Sequence, residues 1–272
     1  MKLVMGMLAA AGLAAATGAL AAEKDWTVDG TALSVTTPCA KTVSIEPATS
    51  LSGKIEISAS AQHQEEIDQL AISGGSRASI GSKERHCKGN GPHLSFGGAN
   101  IGITTGSTLE LIVKVPTGAA LEIKESGSAD YRIGAVDGPL KAELHGSGDI
   151  DAEKVRDVVV HQTGSGDARF DTITGNIEGK ITGSGDFEVA HADSPAAVYS
   201  LTGSGNVEIE EGKIGSLSVT ISGSSDVSVR ASVTDADLTL RGSGDVALRE
   251  VTGHVQQTVH GSGRIDIGGK KR

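Results

Sequence analysis

Six aspartates and one asparagine recur at the same place in a four-residue phrase along the second half of the chain. They are Asp130, Asp149, Asp167, Asp186, Asn206, Asp226 and Asp245, and each follows a Gly-Ser-Gly, Gly-Ser-Ala or Gly-Ser-Ser triplet. Glycine-rich turns that carry carboxylates bind Ca²⁺ in nonapeptide calcium rolls. The first chemical hypothesis is therefore a column of calcium sites along one edge of the fold.

The same side chains also fit turn capping, in which each carboxylate accepts hydrogen bonds from backbone N–H groups two residues on. Calcium rolls have a glycine-rich turn about every nine residues. Here the phrase returns only after 18 to 20 residues, so half of the ligand set is missing. Asn206 serves equally well as a cap. The spacing favours capping, and no cofactor is predicted, with Ca²⁺ as the alternative.

Acidic residues elsewhere on the strands raise the alternative of a polysaccharide lyase or hydrolase. Asp151, Glu188 and Glu208 fall in one outward column, with Arg132 and Arg169 in the same column. Carboxylates on adjacent rungs of a β-helix lie about 5 Å apart, a distance suited to retaining glycoside chemistry. However, alternating acidic and basic residues on an exposed strand usually serve solvation, and no Ser/His/Asp set carries a Gly-x-Ser-x-Gly motif. No catalytic residue is predicted.

The two cysteines of the chain, Cys39 and Cys87, both precede the repeats. An even pair in an exported protein predicts one disulfide, and two reduced thiols are the alternative. His86 and His93 lie close to Cys87 in sequence and suggest zinc, but a disulfide would remove the thiolate ligand. No metal site is predicted.

The phrase that carries the aspartates recurs eight times. Its copies begin at Gly127, Gly146, Gly164, Gly183, Gly203, Gly223, Gly242 and Gly261. Apolar residues alternate with polar ones on both sides of each copy, which predicts two strands with one buried face each. One such pair cannot bury its apolar face, but stacked rungs can. The chain therefore predicts an all-β, single-stranded parallel β-helix of about eight coils, right-handed like most parallel crossovers.

The departures from the pattern make further predictions. A sixth apolar column predicts a third, shorter side of each coil: Val136, Val155, Ile173, Ile214, Val233 and Val251. Gln162 interrupts an apolar column in the one coil of 18 residues, so that rung is expected to shift locally. Arg264 and the basic end Lys270–Arg272 are expected to blunt the open strand edges of the last coil.

The N-terminal end predicts export. Residues 1–22 have the features of a secretory signal peptide: Lys2, an apolar run and the small-residue pattern Ala19-Leu20-Ala21. This segment is too short and too rich in Ala and Gly for a transmembrane helix, and no such helix is predicted for the mature chain. The formal net charge of −10 argues against nucleic-acid binding. The protein is expected in the periplasm, at the cell surface or outside the cell.

The mature chain is expected to have two parts. Residues 23–106 lack the repeat but are strand-like, and predict an irregular β cap with the first coils. The stretch Gly81–Gly106 predicts a long loop that a disulfide would tether. Residues 107–272 predict the regular solenoid. An independent globular domain at the N-terminal end is the alternative.

Three features in order carry a resemblance to a known family. They are the segment Lys54–Ile80, the strand–proline passage Leu109–Pro116 that leads into Gly127-Ser128-Ala129-Asp130, and the run of coils. In these features the mature chain resembles the bacterial auto-transporter adhesin head domains, also called head GIN domains. The resemblance implies a β-solenoid of the bacterial cell envelope and supplies no catalytic residues.

These observations favour a non-enzymatic, exported cell-envelope β-solenoid that is an adhesin-like or structural binding module. Its partner would be a glycan or another envelope protein. The alternatives are a polysaccharide-active enzyme on a β-helix and a self-assembling envelope scaffold that stacks end to end. The basic end weighs against stacking.

Overall fold

The structure is a computed structural model that describes residues 21–84, 87, 93–96, 99–102 and 106–271. It is nearly all β, with 66% strand and 2% helix, and forms a β-solenoid of about 8 turns with stacked parallel strands. The predicted fold class is confirmed. The right hand of the coil stays a prediction, as does the division at residue 106.

The strands before the repeats are short. They are β1 (Ala22–Asp29), β2 (Ala32–Thr36), β3 (Thr42–Pro47), β4 (Lys54–Ala61), β5 (Leu70–Ser73), β6 (Arg77–Ser82), the antiparallel pair β7 (His93–Phe96) and β8 (Ala99–Gly102), and β9 (Glu110–Val115). One helix, α1 (Gln64–Asp68), lies between β4 and β5.

The repeats contain the remaining strands. They are β10 (Ala120–Glu125), β11 (Asp130–Ala135), β12 (Leu140–Leu144), β13 (Ile150–Val155), β14 (Val158–Gly164), β15 (Ala168–Ile173), β16 (Ile177–Gly183), β17 (Phe187–Gly203), β18 (Val207–Gly223), β19 (Val227–Gly242), β20 (Val246–Val251), β21 (Val255–Gly261), β22 (Ile265–Ile267) and β23 (Lys270–Lys271). Strands β17 to β19 bend at the third side of the coil and serve both stacks described next.

Two stacks of parallel strands line the core. The leading stack contains the strands before each Gly-Ser-Gly-Asp phrase: β6, β2, β10, β12, β14, β16, the second halves of β17 to β19, and β21. The trailing stack contains the strands after it: β9, β3, β11, β13, β15, the first halves of β17 to β19, β20 and β22. Because both stacks keep their register, each apolar column meets itself one coil above and below.

The alternating apolar residues form the core as the sequence predicts. Tyr131, Ile150, Ala168, Phe187 and Val207 form one buried column of the trailing stack. The sixth column is also present, since five of its residues are buried: Val136, Val155, Ile173, Ile214 and Val233. Small branched side chains fill most of this narrow interior because they pack well between closely spaced strands, and Tyr131, Phe187 and Tyr199 are the largest side chains that are fully buried in it.

The coil order at the N-terminal end does not follow the sequence. The coil made by β2 and β3 lies between the coil made by β6 and β9 and the first repeat coil made by β10 and β11. Strand β4 then pairs antiparallel with β9 of the trailing stack and β1 pairs antiparallel with β4, while β5 pairs antiparallel with β6 of the leading stack. Helix α1 connects β4 to β5, and its Ile67 is fully buried against the core. This end of the solenoid is therefore closed by a cap.

The expected shift of the rung at Gln162 was wrong. Leu144, Gln162 and Ile181 are register partners in consecutive coils, so Gln162 stays in the interior column. The shorter coil instead loses its residue at the third side, where the corner from Val155 to Val158 is one residue shorter than the corner from Val136 to Leu140. An exposed corner can lose a residue without moving the strands, whereas a strand cannot lose one without turning its side chains over.

The expectation that the charged C-terminal end blunts the open edges was correct for one stack only. Strand β23, with Lys270 and Lys271, pairs antiparallel with β22 and covers the last strand of the trailing stack. The last strand of the leading stack, β21, pairs with β19 alone in the described part of the chain.

Candidate functional site

Each Gly-Ser-Gly-Asp phrase is a corner at which the leading stack passes into the trailing stack. From Gly146 on, a Cβ on the first glycine of a phrase would come within 2.0–2.5 Å of the carbonyl oxygen of the first glycine one coil earlier. From Gly164 to Gly261 these glycines also have φ between +138° and +154°, which other residues rarely adopt. The backbones of successive corners are therefore in direct contact. The aspartates that follow them lie in a line along this edge of the solenoid.

The aspartates of this line form a hydrogen-bonded ladder between coils. The Oδ1 of each side chain accepts from the backbone N–H of the equivalent residue one coil on, at 2.7–3.3 Å, from Asp130 to Arg264. The sequence predicted that each aspartate accepts from a backbone N–H two residues on, in its own turn. That donor was wrong, because the N–H group that donates lies one coil further along the solenoid. Asn206 takes part through its own Oδ1, which explains why an amide is compatible with this column.

This ladder gives each aspartate a structural use that requires no metal ion. No group of three or more His, Cys, Asp or Glu side chains in the described part of the chain is arranged to hold a metal ion. One oxygen of each carboxylate accepts from a backbone N–H, while the second oxygen of Asp167 faces Arg169 and that of Asp245 faces Arg264. Calcium binding along this edge stays an untested alternative.

We expect Asp186→Ala to lower the free energy of unfolding by about 0.5–1.5 kcal/mol, because Asn206 N–H then loses its side-chain acceptor. Asp186→Asn is the matched control. It keeps the acceptor and removes one charge from the stacked column, so its stability should equal or slightly exceed that of the wild type. Urea unfolding followed by circular dichroism measures both. Equal losses in the two variants would mean that the charge, rather than the hydrogen bond, is what the fold uses.

The outward side of the trailing stack forms a second candidate region, here called the charged face. Its residues are Ser44, Glu46, Arg132, Gly134, Asp151, Glu153, Arg169, Asp171, Glu188, Glu208, Glu210 and Arg230. The sequence predicted the column from Arg132 to Glu208. It missed the parallel column of Glu46, Glu153, Asp171 and Glu210, although these lie two residues further along each strand and thus on the same face.

Some carboxylates of the charged face form ion pairs with arginines. Arg169 Nε lies 3.3 Å from Glu188 Oε2, and its Nη atoms approach Asp151 and Asp167. Arg230 Nη2 lies 2.9 Å from Glu208 Oε1. Glu188 and Glu208 are register partners on adjacent coils, as predicted, but each is paired with a different arginine. The two carboxylates considered for a retaining glycosidase, Glu188 and Glu208, are therefore both in ion pairs.

A groove of about 460 Å³ opens on the charged face. Arg132, Asp151, Glu153, Arg169 and Asp171 line it. Gly134 has no side chain to fill the space between Glu46 and Glu153, and a Cβ there would meet Pro47 at 3.0 Å. In the described part of the chain Arg132 has no ion-pair partner, so its guanidinium is available to a ligand.

The two cysteines form a disulfide, with a Cα–Cα distance of 5.2 Å. Cys87 therefore cannot ligate zinc as a thiolate, while His86 lies outside the described residues. A cavity of about 190 Å³ adjoins the disulfide, and Glu66 and Glu125 line it. Sequence reasoning missed Glu125, although a carboxyl two residues before Gly127 interrupts an apolar column and is itself a signal.

The two glutamates beside the disulfide are held by hydrogen bonds. Glu125 accepts from Tyr131 Oη at 2.8 Å and from Gly127 N–H at 2.6 Å, and burial raises its pKa above the usual carboxyl range. Burial and the neighbouring Glu125 also raise the pKa of Tyr131. Glu66 accepts from Ser107 and Thr108, which fixes α1 to the strand that begins nearby. The Glu66 contacts join α1 of the cap to the segment before β9, and the Glu125 contacts hold the corner of the first repeat coil.

Comparison with known proteins supports the predicted resemblance. Residues 159–270 match the family model described as "Putative auto-transporter adhesin, head GIN domain". A search of the curated proteins found no match. Within the described residues, no helix has the length and apolar character required to cross a membrane.

Two crystal structures share this fold. One is described as a putative lipid binding protein from Parabacteroides distasonis, with 16% identity and a TM-score of 0.60, covering 90% of this chain and 96% of that one. The other is described as a putative adhesin from Bacteroides fragilis, with 14% identity, a TM-score of 0.54 and the same coverage. At these identities the likeness extends to the fold alone.

Proposed function

We propose that this protein is a non-enzymatic, exported binding module of the bacterial cell envelope, of the adhesin type, and that it binds a glycan on the charged face. The groove of about 460 Å³ beside the free guanidinium of Arg132 carries the proposal. The match of residues 159–270 to an adhesin head domain supports it. The signal-peptide features of residues 1–22 support export.

The geometry of the charged face suits recognition of sugar hydroxyls. Its carboxylates and guanidinium groups stand on strands of a packed solenoid, so their positions are set by the core rather than by loops. Arg169 and Arg230 hold the neighbouring carboxylates in place, and charged groups make stronger hydrogen bonds than neutral ones. A ligand therefore meets a preformed row of donors and acceptors that repeats with each coil.

The same contacts argue for binding rather than hydrolysis. A retaining glycosidase needs one carboxyl group as acid and a second as nucleophile, about 5 Å apart. Glu188 and Glu208 occupy adjacent coils, but arginines hold both of them.

A glycan array with the mature protein tests the proposal. We expect binding to a subset of glycans, and Arg132→Ala should weaken it about tenfold by removing a charge-assisted hydrogen bond. Arg241→Ala is the matched control, because Arg241 is an exposed arginine on a strand of the leading stack, away from the charged face. Equal effects of the two substitutions, or no bound glycan, would overturn the proposed site.

Two further arms separate the alternatives. Each array is run with calcium and with a chelator, and binding that requires calcium would show that a metal ion takes part in recognition. Reducing-end release from the bound polysaccharides tests for an enzyme. Release that disappears in Glu188→Gln and Glu208→Gln would replace the binding module with a hydrolase or lyase.

A further inference from the structure

The C-terminal end of the leading stack leaves part of the core uncovered. Register places Val255 and Val259 of β21 in the interior columns, below Ala236 and Leu240, which are buried. The two valines are nevertheless 39% and 41% exposed, because no further coil covers them in the described structure. They are two of the four large apolar residues that are exposed in the described part of the chain.

The terminal strands of the two stacks differ in how they resist pairing with another chain. Strand β1 carries four charged residues, β5 has only four residues, and β23 has two residues, both lysines. Charge and short length are the usual protections of an edge strand. Strand β21 has neither, since it is seven residues long and contains no Asp, Glu, Lys, Arg or Pro.

We propose that β21 pairs antiparallel with β21 of a second copy of this chain, so that two solenoids join tail to tail. The sequence Val255-Gln256-Gln257-Thr258-Val259 is self-complementary about Gln257. In this register each Val255 faces the partner's Val259 and Gln257 faces the partner's Gln257. A two-fold interface requires this reciprocity, and cross-strand valine pairs stabilise a sheet.

The N-terminal end of the solenoid, here called the head, explains why the C-terminal end, here called the tail, pairs with a second tail rather than with a head. At the head, α1 covers the core with Ile67, and the flanking β1 is strongly charged. A tail that meets a tail covers both pairs of valines and leaves no further edge of the leading stack open. The assembly therefore closes at two copies, whereas head-to-tail contact would continue into a filament.

Sedimentation velocity of the mature protein over a range of concentrations tests the proposal. We expect a dimer whose dissociation constant rises at least about tenfold in Val259→Lys, because a lysine in this edge opposes strand pairing. Val198→Lys is the matched control, since Val198 is 47% exposed on the side of the leading stack. It should remain dimeric. A wild type that is monomeric at every concentration, or that grows into an open series of larger species, overturns the proposal.

A cross-link makes the geometry testable even if the lysine variant folds poorly. Gln257→Cys places one thiol opposite its own copy, and directly opposed strand residues have Cβ atoms about 4.5–5.5 Å apart. Cys39 and Cys87 are already joined, so mild oxidation should produce one covalent dimer through position 257. Val198→Cys is the control and should stay monomeric under the same oxidation. Equal cross-linking at both positions would show non-specific collision and would refute tail-to-tail pairing.

Discussion

Gly203→Ala is expected to lower the free energy of unfolding by about 3 kcal/mol. Gly203 has φ of +138°, where an alanine is strained, and an added Cβ would come within 2.2 Å of the Gly183 carbonyl oxygen. That oxygen cannot move away easily, because Ser204 N–H donates to it at 2.9 Å. The same contact recurs one coil on, where Ser224 N–H donates to Gly203 O. The strain therefore spreads to neighbouring corners.

Thermal unfolding measures this effect. For a chain of this size, about 3 kcal/mol corresponds to a drop in Tm of roughly 6–12 °C. Gly106→Ala is the control, since a Cβ there would meet no atom within 4 Å. A Tm for Gly203→Ala within a degree or so of the wild type would show that the corners are loosely packed.

Gln162→Met is expected to raise the free energy of unfolding by about 1–3 kcal/mol. Gln162 is 2% exposed, and neither its amide nitrogen nor its amide oxygen has a hydrogen-bond partner in the described structure. Leu144 and Ile181 lie on the adjacent coils of its column. Methionine keeps a similar length and shape and removes the two polar atoms whose burial is unfavourable.

Urea unfolding of the variant and the wild type checks the sign. Gln62→Met is the control, because Gln62 is exposed and its replacement should change stability by less than about 0.5 kcal/mol. A loss of stability in Gln162→Met would mean that the amide is satisfied within the core, for example by a buried water. In that case the polar position would be a structural requirement of the short coil.

The regular part of the fold was predictable because its information is local. Apolar residues such as Leu217, Val219 and Ile221 alternate with polar ones, and a strand has the same period of two. The repeat of 18 to 20 residues then predicted the register, since each column must meet itself. The same alternation points Thr163, Thr182, Thr202 and Ser222 outward, and the three threonines are exposed while Ser222 is half-buried.

The contacts of the candidate site were less predictable because they join residues of different coils. The sequence placed Asp186 beside its own turn, whereas the structure bonds it to Asn206 one coil on. It placed Glu188 and Glu208 on adjacent coils, but did not show that Arg169 and Arg230 engage them. A side chain chooses between partners at similar distances, and only the packed coil determines which donor lies closest.

The sequence by itself determined the strands, the coils and the line of aspartates. Alternation with a period of two predicts strands, and the repeat of about 19 residues predicts that these strands stack in register so that their apolar faces are buried. Tertiary structure alone decided the place of the coil made by β2 and β3, the partner of each aspartate and the open edge at β21. These three features depend on which surfaces of the coiled chain meet. Residues far apart in sequence bury one another at such contacts, and the alternation of apolar and polar residues does not indicate which of them meet.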